Sequence, residues 1–350
     1  MKKFRFFAFA LVASALVFTT SCNGNDDDNG TPAVLAWNVV DGTLTISADG
    51  TGTVAMGDFA SEDGVTTAPW AGETFTSVVI TARVTSIGVN AFRGLEDLTS
   101  LTIGPDVATI GDTAFMNAGL TGALTFPNSV NAIGNSAFRF TALTGVTVNA
   151  AEIGHNAFRQ IPTLANVTIG TAVVTIGNEA FRGHPDVTPM SALTSVVIPN
   201  NVTTIGTEAF RQTALTTVTI STAVTRIEEG TFRQTDLTSV VIPDAVTYIG
   251  EQAFDQINGL ASITIGAGVT EIMDRGISRS LPNNTLTTVI SRNPVPASFY
   301  RFNDDGTPHN TPRAFENRAA GAVLYVPAGS VAAYEAAPIW STFTEIREIQ

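Results

Sequence analysis

The feature that most constrains this chain is a hexapeptide that keeps returning. Ile-Gly-x-x-Ala-Phe begins at Ile87, Ile110, Ile133, Ile153, Ile176, Ile205 and Ile249, and looser copies begin at Ile227 (IEEGTF) and Ile272 (IMDRGI). Successive starts lie 23, 23, 20, 23, 29, 22, 22 and 23 residues apart. Between them runs a second pattern, Leu-Thr-x-Val-x-Ile: LTSLTI from Leu98, LTGVTV from Leu143, LTSVVI from Leu193 and Leu237, and LTTVTI from Leu215. LANVTI from Leu164 and LASITI from Leu260 are variants of it. Self-similarity at this period means stacked units, each too small to bury its own apolar face.

One unit shows why. In LTSVVI, alternation points Leu193, Val196 and Ile198 inward and Thr194, Ser195 and Val197 outward, as in a half-buried strand. Its β-branched residues favour that state. Pro199-Asn200-Asn201 ends the strand, because proline has no N–H for a ladder. Val202 and Ile205 turn the chain back inward, and Gly206 is expected to permit a tight bend. Residues 207–211 read as about one helical turn that carries Phe210 into the core. The same phenylalanine recurs at Phe92, Phe115, Phe138, Phe158, Phe181, Phe232 and Phe254, which predicts a stacked aromatic spine. A 20–29-residue period with LxxLxL is the leucine-rich-repeat signature. The expected class is therefore α/β: a right-handed leucine-rich-repeat solenoid with a parallel sheet on the concave face, short helical turns opposite, and β-rich N-terminal and mixed C-terminal caps.

The ends differ from the middle. Residues 1–22 read as a signal peptide: Lys2, Lys3 and Arg5 precede an apolar run, Phe6 to Phe18, too short to remain as a membrane span. Cys22, the single cysteine, excludes an intramolecular disulfide. A cysteine in this place resembles the lipobox of bacterial lipoproteins, which implies lipidation of Cys22 and a membrane anchor; Thr19 stands where that family usually has leucine. Residues 23–33 are acidic and rich in Asn and Gly, a flexible tether. They also resemble the export signal of Bacteroidetes surface lipoproteins, which implies an outer-membrane protein facing the exterior; a plain solvated linker is the alternative. Residues 34–74 read as an N-terminal β cap, with Asp41-Gly42 as a two-residue hairpin turn. Repeats fill 75–290. Residues 291–350 are the C-terminal loop and cap, in which 291–320 reads as a long loop and the part from Leu324 as a strand, a short helix and a closing segment.

The Ile-Gly-x-x-Ala-Phe turn, the Ala68-Pro69-Trp70 segment and the closing YVPAGSVAAY…W segment together resemble the BspA-like, or Treponema-type, leucine-rich-repeat proteins. The resemblance covers about 34–350. It implies a bacterial surface protein, with adherence to host matrix proteins and coaggregation among its family's roles. That family often has a cysteine shortly after Ala-Phe; this chain has Arg or Met there, so no thiol role carries over.

Function must then lie on exposed positions that repeat. Arg93, Arg139, Arg159, Arg182, Arg211 and Arg233 each follow the core phenylalanine. They read either as a basic line for acidic or aromatic partner groups or as local pairs with Glu179, Glu208 and Glu229 three or four residues away. Thr102, Thr125, Thr147, Thr168, Thr219 and Thr264 form a second line at the exposed strand position, interrupted by Val197 and Val241. It reads as a flat contact surface or as simple β-propensity. The insertion at 183–190 lengthens one turn to 29 residues and is either a specificity loop or neutral. Candidate partner-binding residues are Arg139, Arg159, Arg182, Arg211, Arg233, Thr147, Thr168 and Thr219. A net charge of −13 argues against nucleic acid. His155, His184 and His309 fall in separate turns, and no metalloprotease, serine-hydrolase or phosphate-loop motif is present. The expectation is no enzyme, no cofactor and no metal, but a surface protein that binds a protein partner. A glycan- or nutrient-capture accessory lipoprotein is the alternative.

Overall fold

The computed structural model describes residues 31–183, 192–257, 259–278, 285–303, 306–307, 309, 313–316 and 318–350. The segment read as a signal peptide, Cys22, most of the stretch read as a tether and most of the 183–190 insertion lie outside these residues.

The chain winds as a parallel β-solenoid. Each turn gives one strand to a front sheet, drawn from Leu-Thr-x-Val-x-Ile, and a shorter one to a lateral sheet, drawn from the residues before Ile-Gly. Among the described residues the lateral sheet runs in sections of seven and four strands. Pairing is in register from turn to turn: Ile133 stands beside Ile110 and Ile153, and Thr147 beside Thr125 and Thr168. Across the 29-residue turn, Thr175 and Ile176 still pair with Thr204 and Ile205, so the insertion leaves the lateral ladder unbroken. Leu193, Val196 and Ile198 are buried while Val197 is 63% exposed, as the alternation predicts.

The third side of each turn corrects the helical expectation. Among the described residues the only helices are Val331–Ala336 and the 3-10 turn Trp340–Thr342, both in the closing segment. After Ile87, the N–H groups of Asn90, Phe92 and Gly94 donate forward to Asp112, Ala114 and Met116 of the next turn, at 3.1, 2.7 and 2.8 Å. Those of Ala91 and Arg93 donate back three residues, to Gly88 and Asn90. A helix would send every N–H four residues back within its own segment. Here alternate donors are drawn to the neighbouring turn, so this side is a hydrogen-bonded ridge. The geometry needs a left-handed residue at the second x of Ile-Gly-x-x-Ala-Phe. Asn90, Thr113, Ser136, Asn156, Glu179, Glu208 and Gln252 all have φ of 54–58° there, and glycine takes the place only at Gly230.

The glycine after isoleucine, kept in the seven full copies and replaced by Glu228 and Met273 in the two looser ones, has a different reason from the tight bend expected of Gly206. A Cβ at Gly206 would lie 2.5 Å from the Asn178 nitrogen and 2.7 Å from the Gly177 carbonyl carbon. Gly111, Gly134, Gly154 and Gly177 are packed the same way against the turn before them. These glycines set how closely turns stack.

The aromatic spine is continuous. Trp70, Phe92, Phe115, Phe138, Phe158, Phe181, Phe210, Phe232 and Phe254 follow one another with ring centroids 5.0–5.7 Å apart and planes within 4–22°. Trp70 ends the column, donating from its indole N–H to the Ala91 carbonyl at 2.9 Å. Trp340 closes the far end against Phe299, Phe315 and Tyr334, donating to the Ala297 carbonyl at 2.9 Å.

The N-terminal hairpin, Val34–Val40 with Thr43–Asp49, turns at Asp41 and Gly42, both at positive φ. Its second strand pairs parallel with Ser77–Ile80 and so starts the front sheet. At the other end the long loop expected over 291–320 holds a strand, Ser298–Tyr300, which pairs with Glu271–Met273 and adds a turn to the lateral sheet. Val323–Val326 and Glu345–Glu348 complete the front sheet, and the last strand carries charge where an open edge would invite pairing.

Asp274 pins the C-terminal cap. It is nearly buried, and its carboxylate accepts from the Arg313 backbone N–H at 2.8 Å and from the Arg313 guanidinium at 2.6 Å. Burial pushes this carboxyl up, but the Arg313 bonds outweigh it and hold the group below its ordinary value. A depressed carboxyl stabilises the fold above the unfolded value, about 3.9, and that contribution is lost as pH falls through the folded value. The melting temperature is expected to fall as pH drops below about 5 and to go on falling through the folded value. Asp274→Asn should start lower at pH 7 and show a shallower drop; an equal drop in both proteins would place the acid sensitivity elsewhere.

Candidate functional site

Two surfaces carry the residues singled out from the repeat. The first is the front sheet. From Ser77–Ile80 to Thr288–Ser291 its strands contain no charged and no aromatic residue. Thr102, Thr125, Thr147, Thr168 and Thr219 are exposed on it, Thr264 is half-buried, and Val197 and Val241 are 63% and 54% exposed. Thr125, Thr147 and Thr168 are direct register neighbours, as are Val197 and Thr219. Further hydroxyls act within the sheet: those of Thr99, Thr216 and Thr287 donate to Thr76, Thr194 and Ala261 carbonyls of the turn before, at 3.2 Å each. The result is a long, flat, uncharged face of hydroxyl and methyl groups.

One part of this face is concave. Thr217, Thr219, Thr222, Ser239, Val241 and Pro243 line an open basin of about 650 Å³. Arg292 stands at its rim with a guanidinium nitrogen 3.6 Å from Asp244, both side chains about half exposed. Asp244 also accepts from the Ala267 N–H of the following turn at 2.9 Å. Of the sequence candidates, Thr219 lies in the basin; Thr147 and Thr168 lie on the flat part.

The second surface is the arginine line, and the structure brings its members together as a ladder. Glu179 bridges Arg159 and Arg182 at 2.8 and 2.7 Å, and Glu208 bridges Arg182 and Arg211 at 2.6 and 2.5 Å. Arg139 donates to Gln160 at 2.7 Å, and Arg211 to Gln234 at 3.2 Å. These arginines are 16–20% exposed where paired with carboxylates. Burial pushes the Arg139, Arg159 and Arg233 guanidiniums down, and for Arg159 the Glu179 charge partly offsets it. The local pairs Glu179–Arg182 and Glu208–Arg211 are present. The expected Glu229–Arg233 pair is replaced: Arg233 faces buried Asp255 of the next turn at 3.8 Å. A spacing of four matches neighbours on a helix, and this ridge is not one. The glutamates and glutamines of this ladder occupy left-handed positions.

His155 belongs to a third column. Its Nδ1 accepts the Asn178 backbone N–H at 2.8 Å, as Asp112, Asn135 and Asn178 accept from the next turns at 2.7, 2.8 and 3.0 Å. The imidazole therefore couples turns. Among the described residues no group of three or more His, Cys, Asp or Glu side chains is placed to hold a metal ion.

Sequence reasoning missed two features. Tyr300 and Phe302 are 40% and 50% exposed at the end of the lateral sheet, with parallel rings 6.5 Å apart. They fall where prolines suggested a loop, so no period marked them. Phe140 is the other. It occupies the second left-handed place of its turn, where Gln160, Gln212, Gln234 and Gln256 stand in others, and that break in the pattern was a readable signal.

A parallel solenoid with a stacked phenylalanine column, an uncharged front face and tryptophan-closed ends defines a leucine-rich-repeat protein. The chain belongs to the BspA type leucine-rich-repeat family, whose model matches residues 69–188 and 189–293 in six copies. It is similar in structure to the pneumococcal vaccine antigen PcpA, at 15% identity over 91% of this chain and 97% of that one, with a TM-score of 0.46. It is also similar to a leucine-rich cell surface protein of Faecalibacterium prausnitzii, at 22% identity over 79% and 95%, TM-score 0.35. A third likeness is to the leucine-rich-repeat protein of T. pallidum, at 19% identity over 57% and 74%, TM-score 0.23. None of the curated proteins matches the chain.

Proposed function

We propose that the chain is a non-catalytic, surface-displayed binding protein that engages a protein partner, a host matrix protein or a protein of a neighbouring cell, through its front face. In this reading the solenoid is right-handed with the front sheet concave, and a lipid on Cys22 holds it at the outer membrane beyond the 23–33 tether. The observation that carries the reading is the front face itself. It is long, exposed and free of charge and of internal salt bridges along ten strands, whereas the arginine ladder spends its groups on its own glutamates. A flat face of hydroxyls and methyls can be desolvated by a partner at little electrostatic cost.

The test is the full chain carrying Cys22→Ser, applied to a panel of immobilised matrix proteins and to a glycan array. Saturable binding to a protein is the expected result. A second reading, capture of glycans, rests on the exposed parallel rings of Tyr300 and Phe302, since aromatic faces stack on apolar ligand faces. Signal on glycans alone, lost in Tyr300→Ala, would replace the first reading with the second. Silence on both arrays would overturn both.

A further inference from the structure

We propose that the groove beside Phe140 is a second interaction site, built to take a basic side chain of a partner protein. The proposal stands apart from the front face, because it rests on different residues and a different side of the turn.

The groove encloses about 510 Å³ where the ridge meets the front sheet of the first repeats. Its floor is made of small groups, among them buried Ala118 and Thr141 with Gly119 beside them. Gly119 must be glycine, since a Cβ there would sit 1.8 Å from the Glu96 carbonyl oxygen. Gly94, at φ +72°, leaves its place in the column empty of side chain, and a Cβ there would meet the Gly64 carbonyl oxygen at 2.6 Å. One wall is apolar: Phe140 and Val65 are 36% and 39% exposed. The rim carries two exposed carboxylates, Asp63 and Glu96.

Phe140 is the anomaly that marks the place. A bulky residue at φ 63° is an uncommon conformation, and the fold has glutamine available for this position in four other turns. The left-handed φ belongs to the place itself, which other turns fill at 57–60°; what singles out Phe140 is a partly exposed aromatic ring where four other turns carry glutamine. Arg139 lies over one face of the ring at 4.4 Å and is itself fixed by Gln160, which holds the ring in position and leaves the remainder toward the groove.

The chemistry of the occupant follows from wall and rim. An arginine or lysine has a stem of methylenes and a charged head, and it buries the first while keeping the second among polar groups. The stem fits along Val65 and Phe140, and the head reaches Asp63 and Glu96. An acidic side chain would meet two like charges, and a purely apolar one would leave the carboxylates to be desolvated without a partner.

The test titrates the full chain carrying Cys22→Ser with three blocked tripeptides, Gly-Arg-Gly, Gly-Glu-Gly and Gly-Leu-Gly, following the valine methyl resonances by NMR. The Val65 signal, assigned by its loss in Val65→Ile, is expected to shift saturably with the arginine peptide alone, and the shift should shrink as salt is raised. Phe140→Gln and the pair Asp63→Asn, Glu96→Gln should each weaken binding at least fivefold. Phe140→Gln restores the residue of four other turns, so failure to fold is no escape; an unchanged melting temperature checks it. Equal binding of the leucine peptide, unchanged binding in the variants, or no response to any peptide would each overturn the proposal.

Discussion

Gly177→Ala is expected to cost about 3 kcal/mol or more, the upper end of what overpacking does in a close-packed interior. The added Cβ would lie 2.7 Å from the Gly154 carbonyl carbon, 2.7 Å from the His155 nitrogen and 2.9 Å from the Gly154 oxygen. All three are backbone atoms, so no side chain can swing aside. The turns would have to part, which stretches the Gly177 N–H bond to Ile153, now 2.8 Å, and its neighbours in the lateral sheet. Gly145→Ala is the control. Its Cβ would meet only Ala123 and Asn166 atoms at 3.5 Å, ordinary contact, and it lies in the front sheet, so the change should stay within about 0.5 kcal/mol. Urea midpoints at constant slope measure both. Equal midpoints would show that the glycine column does not set the stacking distance.

Phe158→Ala should be as damaging for a different reason. Its ring is buried between Phe138 and Phe181, at centroid distances of 5.5 and 5.4 Å, with Phe126 edge-on at 6.1 Å. Removing it leaves a cavity with no flexible group to fill it, a loss of about 3–5 kcal/mol. The position matters as much as the magnitude. In an array where each turn contacts only its neighbours, a weak turn in the middle uncouples the two halves. The melt is therefore expected to broaden or split into two steps. A single sharp transition, moved by under about 1 kcal/mol, would contradict a continuous spine.

Much of this architecture is legible in the sequence because it is written in periods. The alternation of LTSVVI correctly assigns Leu193, Val196, Ile198 and Val197, and the recurring phenylalanine marks the spine. What stays hidden depends on the neighbouring turn. Residues 207–211 look helical because Thr-Glu-Ala-Phe-Arg suits a helix, but Glu208 and Phe210 donate to Glu229 and Thr231 of the next turn, and no local pattern shows where a hydrogen bond goes. The same cause hides the partner of Arg233 and the role of His155. Ser298–Tyr300 is missed because Pro294 and Pro296 read as a loop, and the strand exists only as an addition to an edge already formed. The candidate residues follow this division. The threonine line is visible as a line and lies where alternation puts it; the arginine line is visible too, but its bridging through Glu179 and Glu208 is a property of the stack.

The most direct test of the front-face account compares two sets of substitutions on one partner, the matrix protein bound most tightly in the panel. Thr147→Glu, Thr168→Glu and Thr219→Glu place three charges on the exposed face without touching the core, and Arg182→Ala with Arg211→Ala dismantles the ladder. Measured well below both melting temperatures, the threonine triple should lose binding by at least tenfold while the arginine double binds as the parent does and melts lower. Binding that survives three glutamates on the front face and disappears with the two arginines would contradict the account and place the contact on the ladder.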